Sequence, residues 1–190
     1  MVAVLLALTG GLVVWQLGDD GPANRRDTAL EPVEATSDAP RLAGLAELVG
    51  ASDLVVRAQV VSTDRGRVFG DPGSDAAIES RVVTLTVRRV LRGTGVAPDA
   101  TVVIEEEGWT ADGAPLVVDG APPSQAGDDA IWFLTKVGAE EEQRYVVVSA
   151  EGRYLVDSGR LRGAAGDDPL VAQLVALGPD GLEAAVAALR

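Results

Sequence analysis

Two sets of acidic residues and one aromatic have a claim on chemistry in this sequence. Glu105 and Glu107 alternate along a strand-like stretch, which puts both carboxyls on one face with Cα atoms about 6.8 Å apart at roughly 3.4 Å per residue. Acid pairs near that spacing hydrolyse glycosidic bonds, one as general acid and the other as nucleophile or base. The plainer alternative is a strand running out into a Gly-containing loop, where solvated charges are normally placed. Asp71, Asp75 and Glu79 fall in a Gly/Pro loop and offer the oxygens that Ca²⁺ takes, but their spacing matches no EF-hand, so neither metal nor cofactor is expected. Gly93-Thr94-Gly95 opens like a dinucleotide fingerprint, has Pro98 where the third Gly would stand, and reads as a turn. Lys136 directly follows an apolar strand, as an exposed terminal residue does, so a Ser-Lys nucleophile is not expected. Trp109 stands past the apolar alternation of its strand, before Thr110-Ala111-Asp112-Gly113, in a loop with little core to join.

Composition narrows the chemistry further. Sixteen basic against 29 acidic residues give a net charge of −13, which argues against nucleic acid and anionic lipid headgroups as partners. The absence of Cys and His removes disulfides, thiol nucleophiles, Cys/His zinc sites, imidazole triads and a histidine pH switch. A chain of 190 residues, 47% hydrophobic and 24% charged, forms one core with appendages.

Four segments follow. Residues 1–18 are an anchor or signal: Val2 to Leu17 carry no charge, Trp15 suits a membrane interface, and a helix of that length covers roughly 24 Å of a hydrocarbon core of about 30 Å. A single-pass anchor with its C-terminal side outside the cytoplasm is the favoured reading. The alternatives are a signal cleaved near Gly21-Pro22-Ala23 and a buried N-terminal helix, and with only Met1 before Val2 the start is expected to lie upstream. Residues 19–39, rich in Asp, Glu, Pro, Ala and Thr, read as a flexible tether. Residues 40–163 read as a β-barrel domain that begins with a short helix, its start signalled by Asp38-Ala39-Pro40 and its stop by Gly50. Residues 164–190 read as a cap of two helices over an open barrel end: Asp168-Pro169 starts the first, Gly178 stops it, and Asp180 with Glu183 forms a capping box for the second.

Within the barrel the period is two. Leu54, Val56, Ala58 and Val60 share one face, Val83, Leu85 and Val87 another, and Val102 with Ile104 a third. The alternation breaks at Arg88-Arg89, which predicts a β-bulge. Ala130 to Thr135 is apolar on both faces and so central, with Trp132 in the core. Pro115 to Val118 and Arg160 to Arg162 are short strands, and Arg144 to Ala150 and Arg153 to Val156 flank Glu151-Gly152 as a hairpin, with Tyr145 and Tyr154 in cross-strand packing. Six or seven such strands predict a mainly β barrel or sandwich.

The order ELVGASDLVVRAQVVS, RVVTLTVRRVLRG, GDDAIWFLTK and YVVVSAEGRYLV, over roughly residues 45 to 163, resembles bacterial extracytoplasmic domains related to the netrin-like modules. Those share an OB-type barrel with the tissue inhibitors of metalloproteinases. The resemblance implies an OB-like, closed or partly open barrel. It does not bring the inhibitors' activity, which needs an N-terminal Cys on zinc. OB-type barrels bind oligosaccharides and oligonucleotides through loops, and the acidity here leaves a glycan, peptide or protein ligand, with Trp109 as the binding residue expected. The alternative for Trp109 is an indole folded over the barrel rim. The expected function is a membrane-tethered, non-catalytic binding module; a paired-carboxylate hydrolase and a structural envelope protein are the alternatives.

Overall fold

The computed structural model describes residues 30–37, 39, 41–71, 74, 76–138, 144–163 and 168–189, and within them the chain is mainly β. The strands are β1 Val33–Ala35, β2 Leu54–Phe69, β3 Ile78–Arg92, β4 Thr101–Thr110, β5 Leu116–Val118, β6 Asp129–Val137, β7 Arg144–Val147, β8 Arg153–Asp157 and β9 Arg160–Gly163. Helix α1 spans Leu45–Gly50 and α2 spans Pro169–Ala188. The expected anchor or signal, residues 1–18, and the tether up to residue 29 lie outside the described residues, as do Asp38, Pro40 and Asp75.

One mixed sheet of seven strands runs β2-β3-β4-β7-β6-β8-β9, and a further pairing of β2 with β6 curls it into a partial ring. β2, β3 and β4 form an antiparallel meander; β6 returns antiparallel beside β2, from Leu54↔Leu134 to Gln59↔Asp129. β7 lies between β6 and β4, parallel to β4, and meets it at one position, Ile104↔Tyr145. The ring is therefore open along the β4/β7 seam past that pair.

Alternation sorts the apolar residues into two cores. Leu54, Val56, Ala58, Val83, Leu85, Val87, Val102, Ile104, Trp132 and Leu134 fill the interior, as the period-two reading expects. The bulge stands where the alternation breaks: Arg57 pairs with Arg89 and Ala58 with Val87, leaving Arg88 as the extra residue. β6 is buried on both faces, with Ala130 to Leu134 all fully covered. Its outward Ile131 and Phe133, with Val55 and Tyr154, form a second core under Leu48, Leu170, Leu174, Leu182 and Val186.

That second core corrects the expected helical cap. The helices pack on the side of the barrel, because the second apolar face of β6 has to be covered and a helical stripe covers it. By length and composition α2 would reach across a membrane, but it is broken at Gly178 (φ 69°, ψ 172°) and its stripe is buried in this core. The start of α2 is as expected: Asp168 accepts from the Leu170 and Val171 amides and Pro169 holds the first position. The capping box at Asp180 is not formed in the expected way, since Glu183 is buried and accepts from Arg57 (3.3 Å) and Arg89 instead, clamping helix to barrel.

Four further expectations are revised. β2 and β3 extend past Val61 to Phe69 and back to Ile78; this outer half is held by its own ladder and buries little, so it carries no apolar alternation. β7 and β8 do not pair as a hairpin. Both pair with β6, Leu134 with Val147 and Trp132 with Arg153, in registers four residues apart, as one strand interrupted by a turn of 3-10 helix at Ala150–Gly152. α1 begins at Leu45, because Gly44 is extended and Glu47 takes the Ala43 amide at 2.7 Å. Val33–Ala35, read within the tether, pair in parallel with β5, a three-residue contact too short to show as periodicity.

Candidate functional site

The inward face of β4 changes character along its length. After Val102 and Ile104 the next inward residue is Glu106, and on β3 the position before Val83 on that face is Arg81, so the same two strands that build the apolar interior also close it with charge. Glu106 accepts from Arg81 Nη1 at 2.9 Å, from Ser124 N–H at 3.1 Å and Oγ at 2.9 Å, and from Arg153 Nη1 at 3.5 Å. Arg153 also donates to Ser124 Oγ and the Pro122 carbonyl, and its guanidinium lies 5.6 Å from the Trp132 ring centroid. Arg81 and Arg153 are 4% and 6% exposed, so two guanidiniums share one carboxylate almost out of water. Burial pushes the Arg153 guanidinium below its ordinary range, opposed by Glu106 and Asp128.

Beside this cluster, along the open seam, lies a cavity of about 230 Å³ with Glu106, Arg153 and Ser149 among its polar walls and Leu116, Val118 and Val147 among its apolar ones. The Ser149 Oγ is buried and has no hydrogen-bond partner among the described residues.

Trp109 stands at the polar end, though within β4 and not in a loop. Gly108 is an extra residue opposite Glu79–Ser80, and this bulge is why Trp109 falls out of register in the sequence. A Cβ at Gly108 would come within 2.7 Å of the Glu79 carbonyl, so the bulge requires glycine. The half-buried indole has the guanidiniums of Arg65 and Arg81 over its ring, 4.5 and 4.4 Å from its centroid, and does not line the cavity beside Glu106.

Glu105 and Glu107 stand in different surroundings. Glu105 is buried, takes a two-pronged contact from Arg67 (3.1 and 3.0 Å) and accepts from Ser80 Oγ at 2.7 Å, while Glu107 is exposed. Both border a second cleft of about 350 Å³, between the outer end of β2–β3 and that of β6–β7, walled by Arg67, Phe69, Ile78, Val137 and Val146. Phe69 is 43% exposed there, with the Arg67 guanidinium 4.6 Å from its centroid.

The other singled-out residues have structural partners. Glu79 pairs with Arg65, and among the described residues no group of three potential metal ligands gathers. Gly93 and Gly95 turn the chain at φ 105° and 80°. The Lys136 amide donates to Asp53 at 2.7 Å; this bond and the Thr135 hydroxyl hold the Asp53 carboxyl below the usual range, while the Lys136 ammonium sits 5.5 Å from the Tyr145 centroid. Trp132 is fully buried, donating to the Ala58 carbonyl at 3.3 Å, and Tyr154 packs edge-to-face on Phe133 at 6.1 Å.

Sequence reasoning missed Arg67, Phe69, Arg81, Glu106, Arg153 and Ser149. Phe69 had a signal, an aromatic directly before the Gly-Asp-Pro-Gly turn. Arg81 and Glu106 did too, since each continues an apolar alternation by one more inward step. Arg153 and Ser149 had none, because they reach the interior only through the interruption between β7 and β8. Comparison of the chain with protein-family models, with curated proteins and with solved structures finds no match.

Proposed function

We propose that the chain is a non-catalytic binding module, an OB-like barrel of netrin-like type held outside the cytoplasm by its N-terminal segment, that takes a glycan or peptide in the cleft beside Phe69. The strand order supports the OB-like reading. Three strands form a meander, a fourth returns beside the first, and a fifth inserts between third and fourth, an order in keeping with a five-stranded Greek-key barrel. Such barrels take ligands on the face of their second and third strands and the loops joining first to second and fourth to fifth. In this count β3 and β4 are the second and third strands, and Phe69, Ile78 and Val137 sit beside those two loops. The membrane attachment rests on the uncharged stretch Val2 to Leu17.

The observation that carries the reading is the exposed Phe69, backed by Arg67, as one wall of an open, mainly apolar cleft. An aromatic face in that setting suits the C–H face of a sugar or an apolar peptide side chain. The test is a glycan array and a peptide array probed with the full chain and with Phe69→Ala. A ligand held by the wild type and weakened at least tenfold in the variant, with melting unchanged, is expected. No binder on either array, or a binder indifferent to Phe69→Ala, would overturn the proposal.

A further inference from the structure

We infer that the cavity along the β4/β7 seam is a second binding site, one that takes a carboxylate on a small apolar body, with Arg153 and Ser149 as its anchors. The cavity meets the Phe69 cleft only at Glu106 and Glu107, so the two readings stand independently.

Charge is the first argument. Arg81 and Arg153 share the one carboxylate of Glu106 in a nearly dry interior, so this ion cluster has one guanidinium more than it has carboxylates, and of the two guanidiniums it is Arg153 that lines the cavity. Excess charge is far more felt in a low-dielectric interior than at the surface, and an entering carboxylate would neutralise it. Asp128 lies close enough to act on Arg153 but makes no direct ion pair with it. Glu107 and Asp119 border the cavity, Glu107 exposed to water and Asp119 half-buried and accepting the Ser37 amide at 3.2 Å. They suit an ammonium or amide beside the carboxylate rather than a second anion.

Unused hydrogen-bonding capacity is the second argument. A guanidinium has five N–H groups. Among the described residues Arg153 Nη1 meets Ser124 and Glu106, Nη2 meets Pro122, and Nε meets no acceptor. That leaves Nε–H and one Nη2–H, neighbouring donors of the kind that grip a carboxylate with two bonds. The Ser149 hydroxyl, on a residue 8% exposed, lines the same cavity without a partner among the described residues. Buried polar atoms are paired in the great majority of cases, and one left unpaired beside spare guanidinium donors has a ligand's oxygen as its natural complement. Leu116, Val118 and Val147 supply the apolar walls, and about 230 Å³ admits a body of one small residue.

A free amino acid and the carboxy-terminus of a peptide share this chemistry, and blocked probes separate them. The experiment titrates the ¹⁵N-labelled full chain, in nonionic detergent, with N-acetyl-alanine, alanine and N-acetyl-alaninamide, following the Val147 to Ser149 amides and the Trp132 indole N–H. Saturable shifts with N-acetyl-alanine or alanine, absent with the amide, are expected. Preference for alanine assigns the site to a free amino acid, and preference for N-acetyl-alanine to a peptide end. Arg153→Lys puts the buried cluster and so the fold at risk, which makes Ser149→Ala the deciding variant; it gives up one hydrogen bond to the ligand and should bind about fivefold more weakly. No saturable shift, equal shifts with the amide, or unchanged affinity in Ser149→Ala would each overturn the inference.

Discussion

The two ends of one barrel interior are built by the same strands and hold opposite chemistry. On β3 the inward series reads Val87, Leu85, Val83, Arg81; on β4 it reads Val102, Ile104, Glu106. One end is hydrocarbon around Leu85, Val87 and Val102, and the other is an ion cluster with a cavity beside it. The apolar end needs only hydrophobic residues of fitting volume to be stable. The polar end depends on Glu106, which serves two buried guanidiniums at once, since a buried ion left alone costs several kcal/mol. The polar end, where a hydroxyl and guanidinium donors have no acceptor among the described residues, is the one for which binding is proposed above, while the apolar end contributes stability.

The largest expected break in this comparison is Glu106→Gln, which leaves Arg81 and Arg153 buried without a counterion. It should cost about 3–5 kcal/mol and lower the melting temperature of the chain by roughly 6–20 °C. A thermal melt checks this, and a loss under about 1 kcal/mol would mean that water already screens the cluster.

Trp109→Ala comes next. The indole packs against two guanidiniums, so its removal should cost about 2–4 kcal/mol, and Trp109→Phe, which keeps an aromatic ring beside them, clearly less. An unchanged melt together with lost ligand binding would restore Trp109 as a binding residue.

The smallest effect concerns a buried polar atom in the second core. The Tyr154 hydroxyl has no partner among the described residues, so Tyr154→Phe should leave stability at neutral pH unchanged or raise it by up to about 1 kcal/mol. Burial, with Glu151 and Asp168 adding, holds the Tyr154 phenol above its ordinary range. The folded chain therefore keeps this proton after the unfolded chain has lost its own. The contribution is whole below about pH 10 and is lost as pH climbs from there toward the folded value. Melts from pH 9 to 11.5 should show wild type falling more steeply than Tyr154→Phe, and parallel curves would refute the assignment.

Much of this architecture is legible in the residues themselves. Period-two alternation places Leu54, Val56, Val83, Leu85, Val102 and Ile104 inside; the break at Arg88-Arg89 marks the bulge; AIWFLT announces a strand covered on both faces; Asp168-Pro169 starts a helix. Each is a local rule acting over a few residues, so the chain determines it without knowing where its neighbours go. What the tertiary structure decided is which pieces meet. Residues 62–69 are a strand because 78–84 pair with them, and the side and not the end of the barrel receives α2 because β6 has an outer face to cover. Arg81, Glu106, Ser124 and Arg153 come from four separate stretches of chain, and no spacing in the sequence relates them. The local rules cannot assemble such a site, because the free energy that holds its charges together exists only once closure of the sheet has removed the water between them.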